Sequence, residues 1–245
     1  MNNYTCISTV LYPGNGEPVP IHIETLDHKA GIAHLCKGFN IKPEDWLDGF
    51  GISTEFVKLS THQGTHIDAP LHYSPNGHNI VEADINQFIG KAVVFTDKTT
   101  TGTEVCINWK LYIDRLDKYK DHATAVFFIT GAYERYGDTS YFTDFKGISV
   151  PYIEAALDRG YTLIGTDAFS VDPPFAVMCK AYESCKDPSV LWPAHVLGRT
   201  KPYYQIERLA NLKDFETAKL IDFIALPIKL PCGAAWARAV ARIIE

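Results

Sequence analysis

Four apolar runs stand out along the chain: "KAVVFTD" (91–97), "ATAVFFIT" (123–130), "YTLIGTD" (161–167) and "KLIDFIALPIKL" (219–230). Each is short and rich in β-branched and aromatic residues, which predicts buried strands. "FVKLSTH" (56–62) alternates apolar with polar residues and predicts a half-buried strand ending at His62. "ARAVARII" (237–244) alternates Arg with aliphatic residues and predicts a terminal strand. Between the second and third runs lies "SVPYIEAALDRG" (149–160). Ser149 suits a helix start, Pro151 the first turn and Gly160 the stop, so the spacing predicts a right-handed strand–helix–strand crossover. "NWKLYIDRLDKY" (108–119) predicts an amphipathic helix capped by Asn108. The class is α/β, a single domain with a mixed sheet and flanking helices.

No repeat or low-complexity linker interrupts the chain, so residues 1–245 read as one domain. Residues 17–55 are less regular. "IETLDHKAGIAHLCKGF" (23–39) predicts a helix broken at Gly31, and "PEDWLDGF" (43–50) a short helical turn. This region reads as an insertion covering a pocket, with Phe39, Trp46, Phe50 and Phe56 as candidate lining or packing rings.

Composition narrows the function. The chain is 46% hydrophobic and 21% charged, with a formal net charge of −6. These values are ordinary for a globular protein and leave no basic stripe for nucleic acid. The apolar runs are too short to span a bilayer, and the start lacks a basic segment followed by an apolar one. Six scattered cysteines without a C-x-x-C pair read as reduced thiols, the expectation for a cytoplasmic protein.

The densest chemistry is "STHQGTHIDAPLHY" (60–73). Gly64 and Pro70 argue against a helix there. A tight turn at Gln63–Gly64, followed by extended chain, places His66 and Asp68 on one face. Proline also biases Ala69 toward extended geometry, which predicts extended chain as far as His72. Imidazole and carboxylate together suit a divalent transition ion, and a carboxylate can bridge two. The bland alternative is a turn with surface histidines.

"HQGTHIDAPLH" (62–72) resembles the H-x-G-T-H-x-D-x-P-x-H signature of the cyclase family of metal-dependent hydrolases, which includes bacterial kynurenine formamidase and isatin hydrolase. The resemblance implies the fold of that family, with His62, His66 and Asp68 as metal ligands and His72 as acid/base. The family completes its site with a histidine and a glutamate twelve residues apart. His195 and Glu207, in "PAHVLGRTKPYYQIERL" (193–209), have that separation, although alone they would read as a core histidine and a solvated strand residue. The implied cofactor is one or two divalent ions per subunit, zinc first and manganese second, and the implied assembly is a homodimer. Tyr12, in "LYPG", stands where kynurenine formamidase carries a substrate-contacting tryptophan.

Further segments, among them "YFTDFKGIS" (141–149), "IGTDAFSVDPPF" (164–175), "SVLWPAHVLGR" (189–199) and "AAWARAVA" (234–241), resemble the branch that closes later rings of aromatic polyketides. The first expectation is therefore a metal-dependent cyclase joining an aromatic polyketide by intramolecular aldol condensation and dehydration. The alternative is an amidohydrolase of an aryl formamide or cyclic amide, and the third is a binding protein without chemistry. In either enzyme the partner is a small aromatic or polyketide molecule, with no nucleic acid and no membrane. Asp167, Ser170 and Asp172 read first as turn residues, with orientation of a ligand imidazole as the alternative.

Overall fold

The structure is a computed structural model and describes residues 3–245. The chain divides into two compact units, residues 11–60 and the remainder.

The larger unit is built on strands β1 (Thr5–Cys6), β4 (His66–Asp68), β5 (Ile89–Thr96), β6 (Ala125–Ile129), β7 (Leu163–Thr166), β8 (Tyr204–Glu207), β9 (Leu220–Pro227) and β10 (Ala234–Ile243); the smaller holds β2 (His22–Leu26) and β3 (Thr54–Lys58). β5, β6, β7 and β8 pair in parallel, β9 joins β5 antiparallel, and β4 joins β8 antiparallel. β10 closes the ring, pairing with β4 through residues 234–236 and with β9 through residues 237–243. A mixed sheet was legible in the sequence. Its closure into a seven-stranded barrel was not, because pairing between strands far apart in sequence leaves no local mark.

Alternation along the strands gives the barrel two buried faces. Ala92, Val94, Phe127, Ile129, Leu163, Ile206 and the alanines 235, 237, 239 and 241 form the interior. Val93, Phe95, Val126, Phe128 and Ile164 face outward, against Tyr112 and Leu116 of helix α2 and Ile153 of α4. The interior is full: a Cβ on Gly165 would lie 2.4 Å from a Phe127 ring carbon.

Helices run over the crossovers. Besides α1 (His28–Phe39) in the smaller unit they are α2 (Trp109–Tyr119), α3 (Thr139–Thr143), α4 (Val150–Leu157), α5 (Phe175–Cys185) and α6 (Pro193–Leu197). Asn108 caps α2 by accepting from Leu111 N at 3.0 Å, as expected. Ser149 occupies the N-cap position of α4, but its side chain makes no capping bond. Among the described residues no helix is long and apolar enough to cross a membrane.

In the smaller unit β2 and β3 form an antiparallel pair. The expected helix over 23–39 is corrected at its start: residues 22–26 are strand, and α1 begins after Asp27, whose carboxylate accepts from Ala30 N. Gly31 does not break the helix. A Cβ there would lie 2.2 Å from the Ile52 carbonyl, so glycine serves close backbone approach. β3 ends at Lys58, short of the expected His62. Phe39, Phe50 and Phe56 are exposed, and the Trp46 indole donates to Phe50 O.

Candidate metal centre

β4 is only three residues long, yet its position is fixed on both sides. His66 pairs with Glu207 of β8 and Trp236 of β10; Asp68 pairs with Gln205 and Ala234. Ile67 points into the barrel, so His66 and Asp68 share the outer face with Glu207 and Gln205. The turn before β4 uses Gly64 at φ +59, and Thr65 ties it to β8 by donating to Arg208 O at 2.6 Å. Gly64 O lies 2.9 Å from His66 Nδ1. A carbonyl can only accept, so Nδ1 carries the proton and a neutral His66 presents a lone pair at Nε2. That atom lies 3.4 Å from Asp68 Oδ1 and 3.6 Å from Glu207 Oε2.

His62 sits in the turn, with Nδ1 3.0 Å from Asp68 Oδ1. Beyond Asp68 the chain departs from expectation. Ala69 is extended (ψ 162), but Pro70–His72 forms a 3₁₀ turn. Proline at a first helical position starts such a turn as readily as it continues extended chain. The turn folds the His72 ring back over the site, 4.1 Å from His62 and 5.2 Å from His195, centroid to centroid.

His195 lies on α6 with its Nε2 4.0 Å from Asp68 Oδ2. Its Nδ1 lies 2.5 Å from Asp172 Oδ2, and Asp172 also accepts from Ala194 N and His195 N. Glu207 accepts at Oε1 from Val171 N at 2.8 Å. All six residues expected at the centre by the spacing and the resemblance are thus gathered on one patch of the outer barrel face. Tyr12, the expected substrate contact, belongs to the smaller unit, where its ring is exposed.

Charge at the patch follows from burial and neighbours. Burial alone would raise the Asp68 carboxyl, but His66 and His62 beside it hold it well below the usual carboxylate range. Burial opposes charge on His62, yet Asp68 and then Glu207 raise it; for His195 the same opposition is overcome first by Asp172. His72 goes the other way: burial, only partly offset by Asp68, together with His62, His195 and His66 pushes it down to about 4.

The residues fit a divalent cation. His66 Nε2 and Asp68 Oδ2 are buried without a hydrogen-bond partner. Such atoms destabilise a folded chain unless something satisfies them. Imidazole nitrogen and carboxylate oxygen are the donors that zinc and its neighbours accept. Ligand atoms of His66, Asp68 and Glu207 lie within 4.8 Å of one another, as do those of His62, Asp68 and His72. Asp68 belongs to both groups, the arrangement a bridging carboxylate needs.

Asp172 was read first as a turn residue, with orientation of a ligand imidazole as the alternative; its three contacts on α6 fit the alternative. One feature escaped the sequence reading. Gly233 leaves room for His72, since a Cβ there would lie 2.9 Å from His72 N.

Comparison with known proteins agrees with this geometry. Residues 9–173 match the Cyclase family, described as "Putative cyclase". A kynurenine formamidase from Salinibacter ruber (strain DSM 13855 / M31) is 30% identical over 200 residues, which cover 80% of this chain and 82% of that protein. One from Erythrobacter litoralis (strain HTCC2594) is 28% identical over 137 residues, 56% of this chain and 59% of that protein. The chain spans little more than half the length of this and other curated relatives it matches. The fold is similar to an isatin hydrolase crystal structure bound to the product analogue thioisatinate, with a TM-score of 0.72 at 20% identity, covering 99% of this chain and 92% of that one. With the family match covering residues 9–173, more than half of the chain, and a relative 30% identical over most of both chains, this chain belongs to the Cyclase family.

Proposed function

We propose that this protein is a metal-dependent hydrolase of an amide, of the aryl formamide or small cyclic amide class. The observation that carries the reading is the convergence of His66, Asp68 and Glu207 with two of their buried polar atoms, His66 Nε2 and Asp68 Oδ2, unpartnered. His62, His66, Asp68, His195 and Glu207 would hold the ion, zinc first and manganese second, as one or two per chain. A divalent ion there would polarise a carbonyl and make a water acidic near neutral pH.

The chain's own residues supply the rest. His72 stands at the exposed side of the patch and, at about 4, is neutral at working pH. It can take a proton from an attacking water and return it to the departing amine nitrogen.

The names of the relatives favour hydrolysis over ring closure. Ring closure of an aromatic polyketide was the first expectation from the sequence; kynurenine formamidase and isatin hydrolase support hydrolysis instead. The test is the protein reconstituted with zinc or manganese and assayed on N-formylkynurenine, isatin and a poly-β-ketone. Hydrolysis of either amide is the expected result. Ring closure of the third substrate, with both amides untouched, would overturn it.

A further inference from the structure

We infer that the loop 167–172 is the positioning segment of the metal centre, with Asp172 setting the proton arrangement of His195. The inference rests on the metal-dependent reading above and concerns residues outside the expected ligand set. One short loop holds both of the later ligands. Asp172 accepts at Oδ1 from Ala194 N at 2.7 Å, and at Oδ2 from His195 N at 3.2 Å and His195 Nδ1 at 2.5 Å. One residue earlier, Val171 N donates to Glu207 Oε1 at 2.8 Å, which leaves Oε2 facing His66. His195 and Glu207 lie on different elements, a helix and a strand, and this loop contacts both.

The loop is itself pinned. Asp167, wholly buried, accepts at Oδ1 from Thr130 N and Thr130 Oγ1 and at Oδ2 from Tyr133 N. Tyr141 donates to Asp167 O, and Ile148 N to Val171 O. Asp167 thus ties its loop to the segment 130–133, in place of the local turn bonding expected from the sequence, whereas Asp172 contacts His195. A carboxylate at Nδ1 makes that nitrogen the ring's donor and leaves the Nε2 lone pair toward Asp68. His66 reaches the same state by a different route, through Gly64 O. Asp172 also closes the N-terminus of α6, so a capping role and a proton-setting role must be separated.

Two substitutions separate them. Asn is a good N-cap and Ala a poor one, so a capping role ranks Asp172→Asn as the milder change. Asn, however, can turn its amide N–H toward Nδ1, which forces the proton to Nε2 and blocks ligation there. Proton setting therefore ranks Asp172→Asn as the equal or more severe change. The measurement is zinc affinity by competition with a chromogenic chelator, with thermal unfolding as the check on folding. Long-range ¹H–¹⁵N correlation reads the His195 tautomer in metal-free protein. We expect Asp172→Asn to bind zinc about 10- to 100-fold more weakly than the wild type, no more tightly than Asp172→Ala, with His195 protonated at Nε2. Tighter zinc binding by Asp172→Asn than by Asp172→Ala, or a neutral wild-type His195 protonated at Nε2 and not at Nδ1, overturns the inference alone. A wild-type chain that binds no zinc overturns the metal-dependent reading and this inference with it.

Discussion

His66 and Glu207 stand opposite each other on adjacent strands, in register, with Nε2 and Oε2 3.6 Å apart. Removing either should dismantle the centre. His66→Ala is expected to lose both bound metal and activity. It should also lose the stabilisation that metal gives the wild type, about 2.7 kcal/mol at a hundredfold excess over Kd. Metal analysis and melting with and without added zinc check this; a metal-dependent melting shift surviving in His66→Ala would contradict it.

His72 should separate chemistry from binding. His72→Ala is expected to keep its metal and to lose turnover by roughly 10²–10⁴-fold. Since His72 lies near enough to His62 and Asp68 to share an ion, depleted metal in the variant would instead assign it to the ligand set.

The same residue sets a pH dependence. Its folded value of about 4 lies below the ordinary 6.5. The unfolded chain therefore takes up a proton that the folded chain refuses. His72 costs no stability above 6.5 and lowers it progressively as pH falls toward 4. Metal-free His72→Gln should lose less stability than the wild type between pH 6.5 and 4, as read by urea unfolding.

Gly233 is predicted to matter through backbone alone. A Cβ there would lie 2.9 Å from His72 N and 3.0 Å from His72 Cα, atoms that cannot swing aside. Gly233→Ala should displace His72 and lower kcat by about tenfold to a hundredfold, with metal content preserved. Unchanged kcat with full metal would show that the turn absorbs the shift.

Away from the site, the buried pair Lys146–Asp97, 2.7 Å apart, joins two loops. Burial opposes the Asp97 charge, but Lys146, Thr99 and the Cys106 N–H lower its pKa to about 2. The stability this lends is present above 3.8 and lost as pH falls toward 2. Lys146→Met leaves a buried carboxylate unpaired and is expected to destabilise the chain by about 3–5 kcal/mol, measured by urea unfolding at pH 7.

How much of this was legible in the sequence depended on range. The strands β5, β6 and β7, the helix after Asn108 and the histidine cluster at 62–72 are written in local spacing, and each lies close to where that spacing placed it. His195 and Glu207 were legible only through their separation of twelve, because neither a core histidine nor a strand glutamate signals a ligand by itself. The extended path to His72 failed because proline fixes φ and leaves ψ to the surroundings. Asp172 was ranked a turn residue ahead of an imidazole-orienting one because an Asp before two prolines has the chemistry of a turn, and its bond to His195 spans 23 residues.

The closed ring has a consequence for when the site comes into being. The first candidate ligands emerge during synthesis at residues 62–68, the later ones at 195–207, and the strand that holds β4 on its other side at 234–236. β4 has no sequence neighbour to pair with, so its three residues take their place only after residues 205–207 and 234–236 have followed. Contacts of such separation form late, after long loops have closed. The nascent chain therefore carries the histidines of 62–72 unassembled until residues 195–236 have followed, and metal loading belongs after that point.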